Sequence, residues 1–383
     1  MRFPEFHGEW EEHGLSEYLD FKNGLNPDSK RFGKGIKFIS VMDILNNPVI
    51  TYDCIRASVQ ATDAEMSSFS VENGDILFQR SSETLEDVGR ANVYIDDKVA
   101  VFGGFVIRGK KKANYNPLFF RYLLSSPYAR KRIIPMGAGA QHFNIGQEGL
   151  SKVLLNFPSI EEQTKIASLL HLLDERIATQ SKLIEKLESL IKGIVDCTIL
   201  RKEKNAIVGD VCSISEQIRA EANIDDIITV RLHGNGVCKS SAENLQLGAT
   251  QYYRRRAGQL IYGKQNFHNG AIGIVPISLD NGITSKDIPS FDIDEMKCNS
   301  VYLLAQLQSP QYYKPAEALT TGTGSKRLKE ETFLKLPIVL PNKREQDNIA
   351  VLIHRASMNL DHAKRLLELL SIQKQFLLRQ MFI

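Results

Sequence analysis

The chain contains one long stretch of sequence twice. The fourteen residues PSIEEQTKIASLLH, which begin at Pro158, recur 183 positions later as PNKREQDNIAVLIH, which begin at Pro341, and seven of the fourteen columns are identical. The same offset places Gly139 on Gly322. The repeat period of 183 residues exceeds the period of about 20 to 50 residues that solenoid proteins have. The sequence therefore predicts two similar globular halves, each ending in a long helix.

The repeat extends upstream with small changes of offset. The segment GDILF at Gly74 aligns with GQLIY at Gly258, and LSEYL at Leu15 aligns with VGDVC at Val208. Between Phe78 and Phe119, and again between Tyr262 and Tyr302, the two halves align poorly, although the lengths of these segments nearly agree. The interpretation is a repeated scaffold that carries different loops, and loops are where recognition side chains concentrate.

Bulk composition excludes several classes of protein. The chain has 383 residues, of which 43% are hydrophobic and 24% charged, as in ordinary globular domains. It contains no run of about 18 apolar residues, and its first residues lack the apolar core of a signal peptide, so the expected location is the cytoplasm. The five cysteines form no CxxC pair, and we expect no zinc site or disulfide framework.

Each long helix opens on a capping signature. Ser159 and Glu162, and again Asn342 and Glu345, have the spacing of a capping box, in which the hydroxyl or amide oxygen accepts an N–H and the carboxylate reaches back to the cap residue. Apolar residues then recur with heptad spacing, which is typical of a coiled-coil seam. The predicted seam residues are Ile166, Leu170, Leu173, Ile177, Ile184, Leu187, Ile349, Ile353, Leu360, Leu367 and Leu370.

A helix of this length needs a partner for its apolar stripe. About 38 residues rise roughly 57 Å at 1.5 Å per residue, which is more than a compact domain of this size requires. We expect the two helices to pack against each other as an antiparallel coiled coil. The alternative is that each helix folds back onto its own domain.

The segments between the helices are predicted to have mixed α+β structure. Short β-type runs punctuated by glycine and asparagine occur in both, and Asn116 is placed to cap a helix from Pro117 to Ser125. The predicted boundaries are a first domain at residues 1–157, a first spacer helix at 158–200, a second domain at 201–340 and a second spacer helix at 341–383. The second domain opens without the tryptophan-bearing leader of the first.

Side chains that can contact DNA bases or phosphates occur in the divergent loops and in four basic clusters. Arginine and lysine pair with guanine or phosphate, and asparagine and glutamine pair with adenine. The candidate DNA-binding residues are Gln79, Arg80, Ser81, Ser82, Lys110, Lys111, Gln141, His142, Asn144, Arg254, Arg255, Lys264, Gln265, Asn266, His268, Ser325, Lys326 and Arg327. The alternative is that these residues belong to an ordinary solvated surface.

Motifs for catalysis are weak in this sequence. NPLF at Asn116 has one proline too few for the NPPY-type loop of adenine methyltransferases, and a plain helix start is favoured. TGTGSKR at Thr321 is not the GxxxxGK[ST] pattern of a P-loop. With its counterpart GAGAQHFN at Gly137, this loop suits a close approach of the backbone to a partner. We expect no catalytic residues, no metal ligands and no cofactor in this chain.

The leader RFPEFHGEW at Arg2, the two EQ-x(2)-IA boxes, the GDILF strand and the twin glycine loops together resemble the DNA-specificity subunit of type I restriction-modification systems. The resemblance spans the whole chain. It implies two target-recognition domains that read the halves of a split, asymmetric site in double-stranded DNA, and two helices that set the gap between the halves.

The resemblance also implies partners. It implies docking of two modification (methyltransferase) subunits, later joined by restriction (translocase and nuclease) subunits, and these partners would use S-adenosylmethionine, ATP and magnesium. A non-catalytic specificity subunit is the function we expect. The alternative is a coiled-coil scaffold whose globular halves bind protein or peptide.

Overall fold

Two long α-helices, α7 (Ile160–Val195) and α11 (Lys343–Gln380), organise the computed structural model, which describes residues 1–240, 250–322 and 326–382. The chain divides into two compact units. Unit 1 consists of Met1–Ser181 and Leu366–Ile383, and unit 2 consists of Lys182–Arg365. Each long helix therefore contributes one part to each unit.

Unit 1 is built from short strands and short helices that precede α7. Its helices and strands are β1 (Glu11–Gly14), α1 (Leu15–Tyr18), β2 (Leu19–Asn23), β3 (Phe32–Ile39), α2 (Val41–Asn46), β4 (Ser58–Val59), α3 (Asp63–Phe69), β5 (Ser70–Val71), β6 (Ile76–Gln79), β7 (Ser81–Ser82), β8 (Ala91–Val93), β9 (Ala100–Phe102), β10 (Val106–Lys111), α4 (Pro117–Ser125), α5 (Pro127–Ile133), β11 (Phe143–Asn144), α6 (Gln147–Ser151) and β12 (Leu154–Phe157).

The globular part of unit 2 follows α7 and a turn of π-helix at Asp196–Leu200. Its described helices and strands, before α11, are β13 (Ala206–Ile207), β14 (Cys212–Ile214), β15 (Arg219–Ala220), β16 (Ile228–Val230), β17 (Val237–Lys239), β18 (Tyr252–Arg254), β19 (Leu260–Tyr262), β20 (Ile272–Ile274), β21 (Ile283–Ser285), β22 (Ser290–Ile293), α8 (Ser300–Leu307), α9 (Pro310–Tyr313), α10 (Glu330–Leu334) and β23 (Pro337–Ile338).

The same antiparallel sheet recurs in both units. Its strand order is β2-β10-β6-β8 in unit 1 and β14-β22-β19-β20 in unit 2. A two-stranded ribbon, β1-β12 or β13-β23, accompanies it. Leu15 N–H donates to the Val153 carbonyl over 3.0 Å and Val208 N–H donates to the Leu336 carbonyl over 2.9 Å, so the predicted alignment of LSEYL with VGDVC is confirmed. The predicted α+β class is confirmed as well.

The central strands are buried because their side chains are apolar on both faces. Ile76, Leu77 and Phe78 are all fully buried, as are Leu260 and Tyr262 in the second unit. In each unit a helix that follows the sheet, α4 or α8, packs against these strands and against the long helices in one apolar core. Asn116 caps α4 as predicted, since its side-chain oxygen accepts the Phe119 N–H over 3.0 Å.

A buried glutamine of each EQ-x(2)-IA box joins the long helix to the globular part. Gln163 accepts the N–H of Asn116 over 3.1 Å and donates to the Pro158 carbonyl. Gln346 accepts the N–H of Asn299 over 2.9 Å and donates to the carbonyls of Lys297 and Pro341.

Asn116 and Asn299 are the cap residues of α4 and α8, so the repeated glutamine fixes equivalent helix starts in the two units. This explains why the sequence repeat is sharpest at the boxes.

Only one of the two hydrogen bonds of each predicted capping box is present. The N–H of Glu162 donates to Ser159 Oγ over 3.3 Å, and the N–H of Glu345 donates to Asn342 Oδ1 over 3.0 Å. The carboxylates bind basic side chains instead. Arg2 donates two hydrogen bonds of 2.8 and 2.7 Å to the almost fully buried Glu162 carboxylate, and Lys202 pairs with Glu345. A full positive charge is a stronger partner for a carboxylate than a cap N–H.

The predicted seam positions are buried or half-buried in both units. Those of unit 1 are Ile166, Leu170, Leu173, Ile177, Leu367 and Leu370, and those of unit 2 are Ile184, Leu187, Ile349, Ile353 and Leu360. In unit 2, Glu188 pairs with Lys364 over 2.8 Å, while Lys202, which follows α7, pairs with Glu345. The partner of Lys202 lies earlier in α11 than the partner of Glu188, although Lys202 comes later in the chain than Glu188. The two helices therefore run antiparallel, as predicted.

One acidic residue ties three helices of unit 1 together. The Asp174 carboxylate of α7 accepts hydrogen bonds from Tyr122 Oη over 2.9 Å and from Arg121 over 3.2 Å, both on α4, and pairs with Lys374 of α11 over 2.5 Å. In unit 2 the aligned residues are Ser357 for Asp174 and Ala305 for Tyr122. Both line a groove of about 480 Å³ beside the long helices.

Candidate nucleic-acid interface

The candidate residues of unit 1 meet where the central strand β6 ends. Arg80 follows β6 directly, and its carbonyl accepts the N–H of Ile145 over 3.0 Å, which brings the glycine loop GAGAQHFN alongside. Strand β7 then pairs with strand β11. Ser81 Oγ donates to Asn144 Oδ1 across this pair. Two segments that lie about sixty residues apart in sequence thus form one polar surface.

Unit 2 has the same construction. Lys264 follows β19, and its carbonyl accepts the N–H of Leu328 over 2.9 Å. This bond corresponds to the bond between Ile145 and Arg80, at offsets of 183 and 184. The second glycine loop is therefore anchored to the same point of the same sheet.

The described residues of the two glycine loops have matching backbone features. Ala138 and Asn144 exchange hydrogen bonds of 2.9 Å, and so do Thr321 and Arg327, at 3.0 and 2.9 Å. Gly139 has a φ of 144° and Gly322 has a φ of 126°.

A side chain would not fit at Gly139, because a Cβ atom there would lie 2.0 Å from the His142 carbonyl oxygen. The sequence alignment of these two glycines is thereby confirmed in structure.

The surface of unit 1 carries mainly neutral hydrogen-bonding groups. Gln141, His142 and Asn144 are exposed on the loop, and Arg80, Ser81 and Ser82 are half-buried beside it. Arg80 Nη1 donates to the Gly104 carbonyl over 3.3 Å, which steadies the guanidinium near the strand end. Amide, hydroxyl and guanidinium groups of this kind can discriminate base edges.

The surface of unit 2 is organised by ion pairs. Lys264 Nζ lies 2.6 Å from Glu330, Lys326 Nζ lies 3.1 Å from Glu317, and Arg327 lies 3.3 Å from Asp287. The bond from Lys326 holds the pKa of Glu317 below its usual value. Gln265 and Asn266 are exposed beside them, and His268 is half-buried in the turn Phe267–Asn269.

Two of the candidate residues are buried, and these two predictions are wrong. Gln79 is only 5% exposed and donates to the Ser81 carbonyl. Arg255 is 0% exposed and donates to Thr284 Oγ1, Ser290 Oγ and the Ile288 carbonyl over 2.7 to 3.0 Å. Burial lowers the pKa of the Arg255 guanidinium to about 10. Arg255 therefore braces strands inside unit 2 and does not contact phosphate.

Lys110 and Lys111 do not join the loop surface of unit 1. They end strand β10, which is antiparallel to β6, with Val106 opposite Gln79 and Gly109 opposite Ile76. The two lysines thus lie at the end of the sheet away from Arg80. Lys110 pairs with Glu72 over 3.0 Å, and Lys111 Nζ donates to the Tyr115 carbonyl.

Two further candidates of unit 2 lie apart from the loop surface or outside the described residues. Arg254 is exposed on β18, in the three-stranded sheet β15-β18-β21. Ser325 lies outside the described residues.

One aromatic residue at the surface of unit 1 was not predicted from the sequence. Phe105 is 69% exposed in the turn between β9 and β10, and its carbonyl accepts the Arg80 N–H over 2.9 Å. Phe105 lies in the run VAVFGGFVI, which begins at Val99 and by residue type is one β-type stretch. The two adjacent glycines, Gly103 and Gly104, are the turn signal that would have located Phe105.

The described residues contain no cluster of three or more His, Cys, Asp or Glu side chains that could hold a metal ion. Within the same residues, none of the helices has the length and apolar character needed to cross a membrane. The described parts of these surfaces combine hydrogen-bonding, basic and acidic side chains with the exposed Phe105, on segments anchored to a sheet, an arrangement suited to binding.

Comparison with known proteins agrees with the resemblance noted in the sequence. Residues 7–189 match the family model described as "Type I restriction modification DNA specificity domain". No curated protein matches the chain significantly.

Two solved structures share the fold. A type I restriction-modification system S subunit from M. genitalium aligns over 100% of this chain and 99% of its own length, with 13% identity and a TM-score of 0.65. A chain from a structure on complex assembly and conformational transition of the type I R-M system aligns over 98% and 97%, with 12% identity and a TM-score of 0.52. The family match agrees with the sequence-based recognition over residues 7–189, and the structural matches confirm the fold.

Proposed function

We propose that this chain, whose residues 7–189 belong to the type I restriction-modification DNA specificity family, reads the two halves of a split DNA site with its two loop surfaces. The observation that carries the proposal is the repeated anchor of the glycine loop, from Ile145 to Arg80 in unit 1 and from Leu328 to Lys264 in unit 2. One frame holds two different sets of side chains. Two half-sites of different sequence follow from this difference.

The division of labour follows from the kinds of residue present. Arg80, Ser81 and Asn144 in unit 1, and Gln265 and Asn266 in unit 2, would contact base edges. The basic groups Lys326 and Arg327 would exchange their present carboxylate partners for backbone phosphates. Phosphate contacts set the register on the duplex, whereas base contacts supply the sequence preference.

The finer domain organisation is part of the proposal. We assign residues 1–157 and 201–340 to two target-recognition domains, and 158–200 and 341–383 to spacer helices. Both long helices pass from one unit into the other, which supports a role in fixing the gap between half-sites.

The outer faces of the long helices suit partner proteins. Apolar side chains that are 36 to 59% exposed occur on both helices in each unit. They are Leu169, Leu172, Leu366, Leu369, Ile372 and Phe376 in unit 1, and Leu183, Leu190, Val351, Leu352 and Met358 in unit 2. Where such exposed apolar side chains lie together, they mark interaction sites. One set of them in each unit would allow two modification subunits to dock, with restriction subunits joining the assembly.

The chemistry would belong to these partners. We assign no catalysis and no cofactor to this chain, and we assign S-adenosylmethionine, ATP and magnesium to the modification and restriction subunits. We also assign the chain to the cytoplasm, where a complex that modifies DNA would act. Incubation of the isolated chain with DNA and S-adenosylmethionine should give no methyl transfer, whereas the complex should methylate.

The decisive experiment exchanges residues 1–157 for the same domain of another specificity subunit. The host DNA is then sequenced for methylated bases. One half of the methylated sequence should change while the other half and the gap stay as they were. A change in both halves would contradict separate readers. The reciprocal exchange of residues 201–340 is the matched control and should change only the opposite half.

A further inference from the structure

The turn that carries Phe105 presents an aromatic ring to solvent in an otherwise buried part of unit 1. Phe105 is 69% exposed, whereas Phe102 before it and Val106 after it are fully buried. The ring therefore contributes little to the core. A bulky apolar side chain in this position favours contact with an apolar group of a ligand.

The turn is held rigidly. Gly103 N–H donates to the Ile39 carbonyl over 3.0 Å, and Val106 N–H donates to the Gly103 carbonyl over 2.8 Å. At Gly104 a Cβ atom would lie 1.8 Å from Asn26 Oδ1, so a larger residue there would have to displace the Asn26 side chain. Because the backbone is fixed in advance, binding through the ring would cost little conformational entropy.

The groups around the ring are base readers. The Phe105 carbonyl accepts the Arg80 N–H, and Arg80 itself donates to Gly104 in the same turn. Arg80 is followed by Ser81, which is bonded to Asn144 of the glycine loop. Phe105 thus lies at the edge of a surface whose other members can bond base edges in the major groove. In that groove the apolar group is the 5-methyl of thymine.

Unit 2 differs at the equivalent point. The N–H of Lys264, the counterpart of Arg80, donates over 2.9 Å to the carbonyl of Asp287. Asp287 therefore occupies the place of Phe105, and its carboxylate pairs with Arg327. A carboxylate would not favour a methyl group, so the apolar contact is specific to unit 1.

We propose that Phe105 reads a thymine methyl in the half-site bound by unit 1. The inference rests on the proposed function, since it requires that this surface faces DNA. It adds a residue to the specificity surface and assigns it one chemical group of one base.

The test uses the chain assembled with its modification partner and a duplex carrying the methylated sequence. Each thymine of the unit 1 half-site is replaced in turn by uracil, which lacks only the 5-methyl group. With wild-type protein, one replacement should weaken binding roughly three- to tenfold. Phe105→Ala should weaken binding to the thymine duplex by a similar factor and should bind the thymine and uracil duplexes equally.

The controls separate this inference from the proposed function. Ile277→Ala removes a side chain that is 89% exposed in unit 2 and should preserve the uracil effect. Phe105→Leu should keep part of the uracil effect. A partial effect in this variant would show that the turn still folds. If the wild-type complex binds no sequence preferentially, the proposed function fails. If it binds specifically but every uracil is neutral, or if Phe105→Ala still distinguishes uracil, the inference about Phe105 is overturned.

Discussion

At the end of its central strand, unit 1 places Arg80, Phe105 and Asn144, whereas unit 2 places Lys264, Asp287 and Arg327 at the equivalent points. The backbone hydrogen bonds that position these residues are the same in both units. The side chains are neutral and aromatic around a single guanidinium in the first, and pairs of opposite charge in the second. The comparison teaches that loop anchors and loop chemistry are separable in this fold.

A second contrast lies where the globular parts meet the long helices. In unit 1, Asp174 receives Arg121, Tyr122 and Lys374 in one polar cluster. In unit 2 the aligned Ser357 and Ala305 leave a groove. At this position the first unit is therefore tied to its helices by charge and hydrogen bonding, whereas the second has a groove.

The largest expected effect comes from shortening the support that both units share. Deleting one heptad from each long helix, at facing positions, should shorten a helical spacer by about 10 Å, or roughly three base pairs. Both half-sequences should persist while the gap between them shrinks, as measured by sequencing methylated DNA. An unchanged gap would show that the helices do not set the spacing. Deletion of the heptad from one helix alone is the control. It should abolish methylation by the complex, because the apolar seams of the two helices no longer match.

The polar cluster of unit 1 gives the next largest effect. Asp174→Ala removes the acceptor of three side chains and should lower the free energy of unfolding by about 2–4 kcal/mol. The matched variant Ser357→Ala in unit 2 should change it by less than about 0.5 kcal/mol. Urea unfolding measures the total change in the free energy of unfolding, and hydrogen exchange in α4 and α8 shows which unit has lost stability. Equal effects would remove the contrast between the two attachments.

The repeated glutamines test how similar the units are. Gln163→Ala leaves the Asn116 N–H and the Pro158 carbonyl without this partner. Gln346→Ala leaves the Asn299 N–H and the carbonyls of Lys297 and Pro341 without theirs. We expect losses of about 1–3 kcal/mol in urea unfolding, with the larger loss at Gln346. The exposed Gln375 of α11 is the control, and Gln375→Ala should be neutral. A neutral result at either box would mean that the glutamine does not secure the helix start.

The smallest effect concerns charge on the loops. Lys326→Ala should weaken binding to all DNA sequences and reduce the slope of log affinity against log salt by about 1. Gln141→Ala in the glycine loop of unit 1 should leave that slope unchanged and should relax the sequence preference at one base pair. Binding titrations at several salt concentrations measure both. A slope unaffected by Lys326→Ala would exclude this lysine from phosphate contact.

Sequence alone was sufficient for features that depend on neighbouring residues or on the repeat. The cap at Asn116, the long helices and the alignment of Gly139 with Gly322 needed only spacing and residue type. The alignment predicted equivalent loops, and the cross-loop bonds of Ala138 and Thr321 agree.

Burial of polar side chains could not be predicted in the same way. Arg255 looked like one member of an exposed RRR cluster, but its partners Thr284 and Ser290 lie 29 and 35 residues further along the chain. Lys264 is similarly paired with Glu330, 66 residues away. Phe105 was hidden for a different reason, since an apolar residue in a β-type run is ordinarily expected to face the core.

The division of the chain into units has a consequence for its biosynthesis. Unit 1 contains residues near both extremes of the sequence: Trp10 packs against Phe382, and Leu370 and Leu377 belong to its core. Domains commonly acquire their structure in the order in which the ribosome delivers them. Here the later unit has all of its residues first, and the earlier one waits for the final turns of α11. A ribosome that stalls before those turns would release a chain with a finished second reader and an unfinished first one.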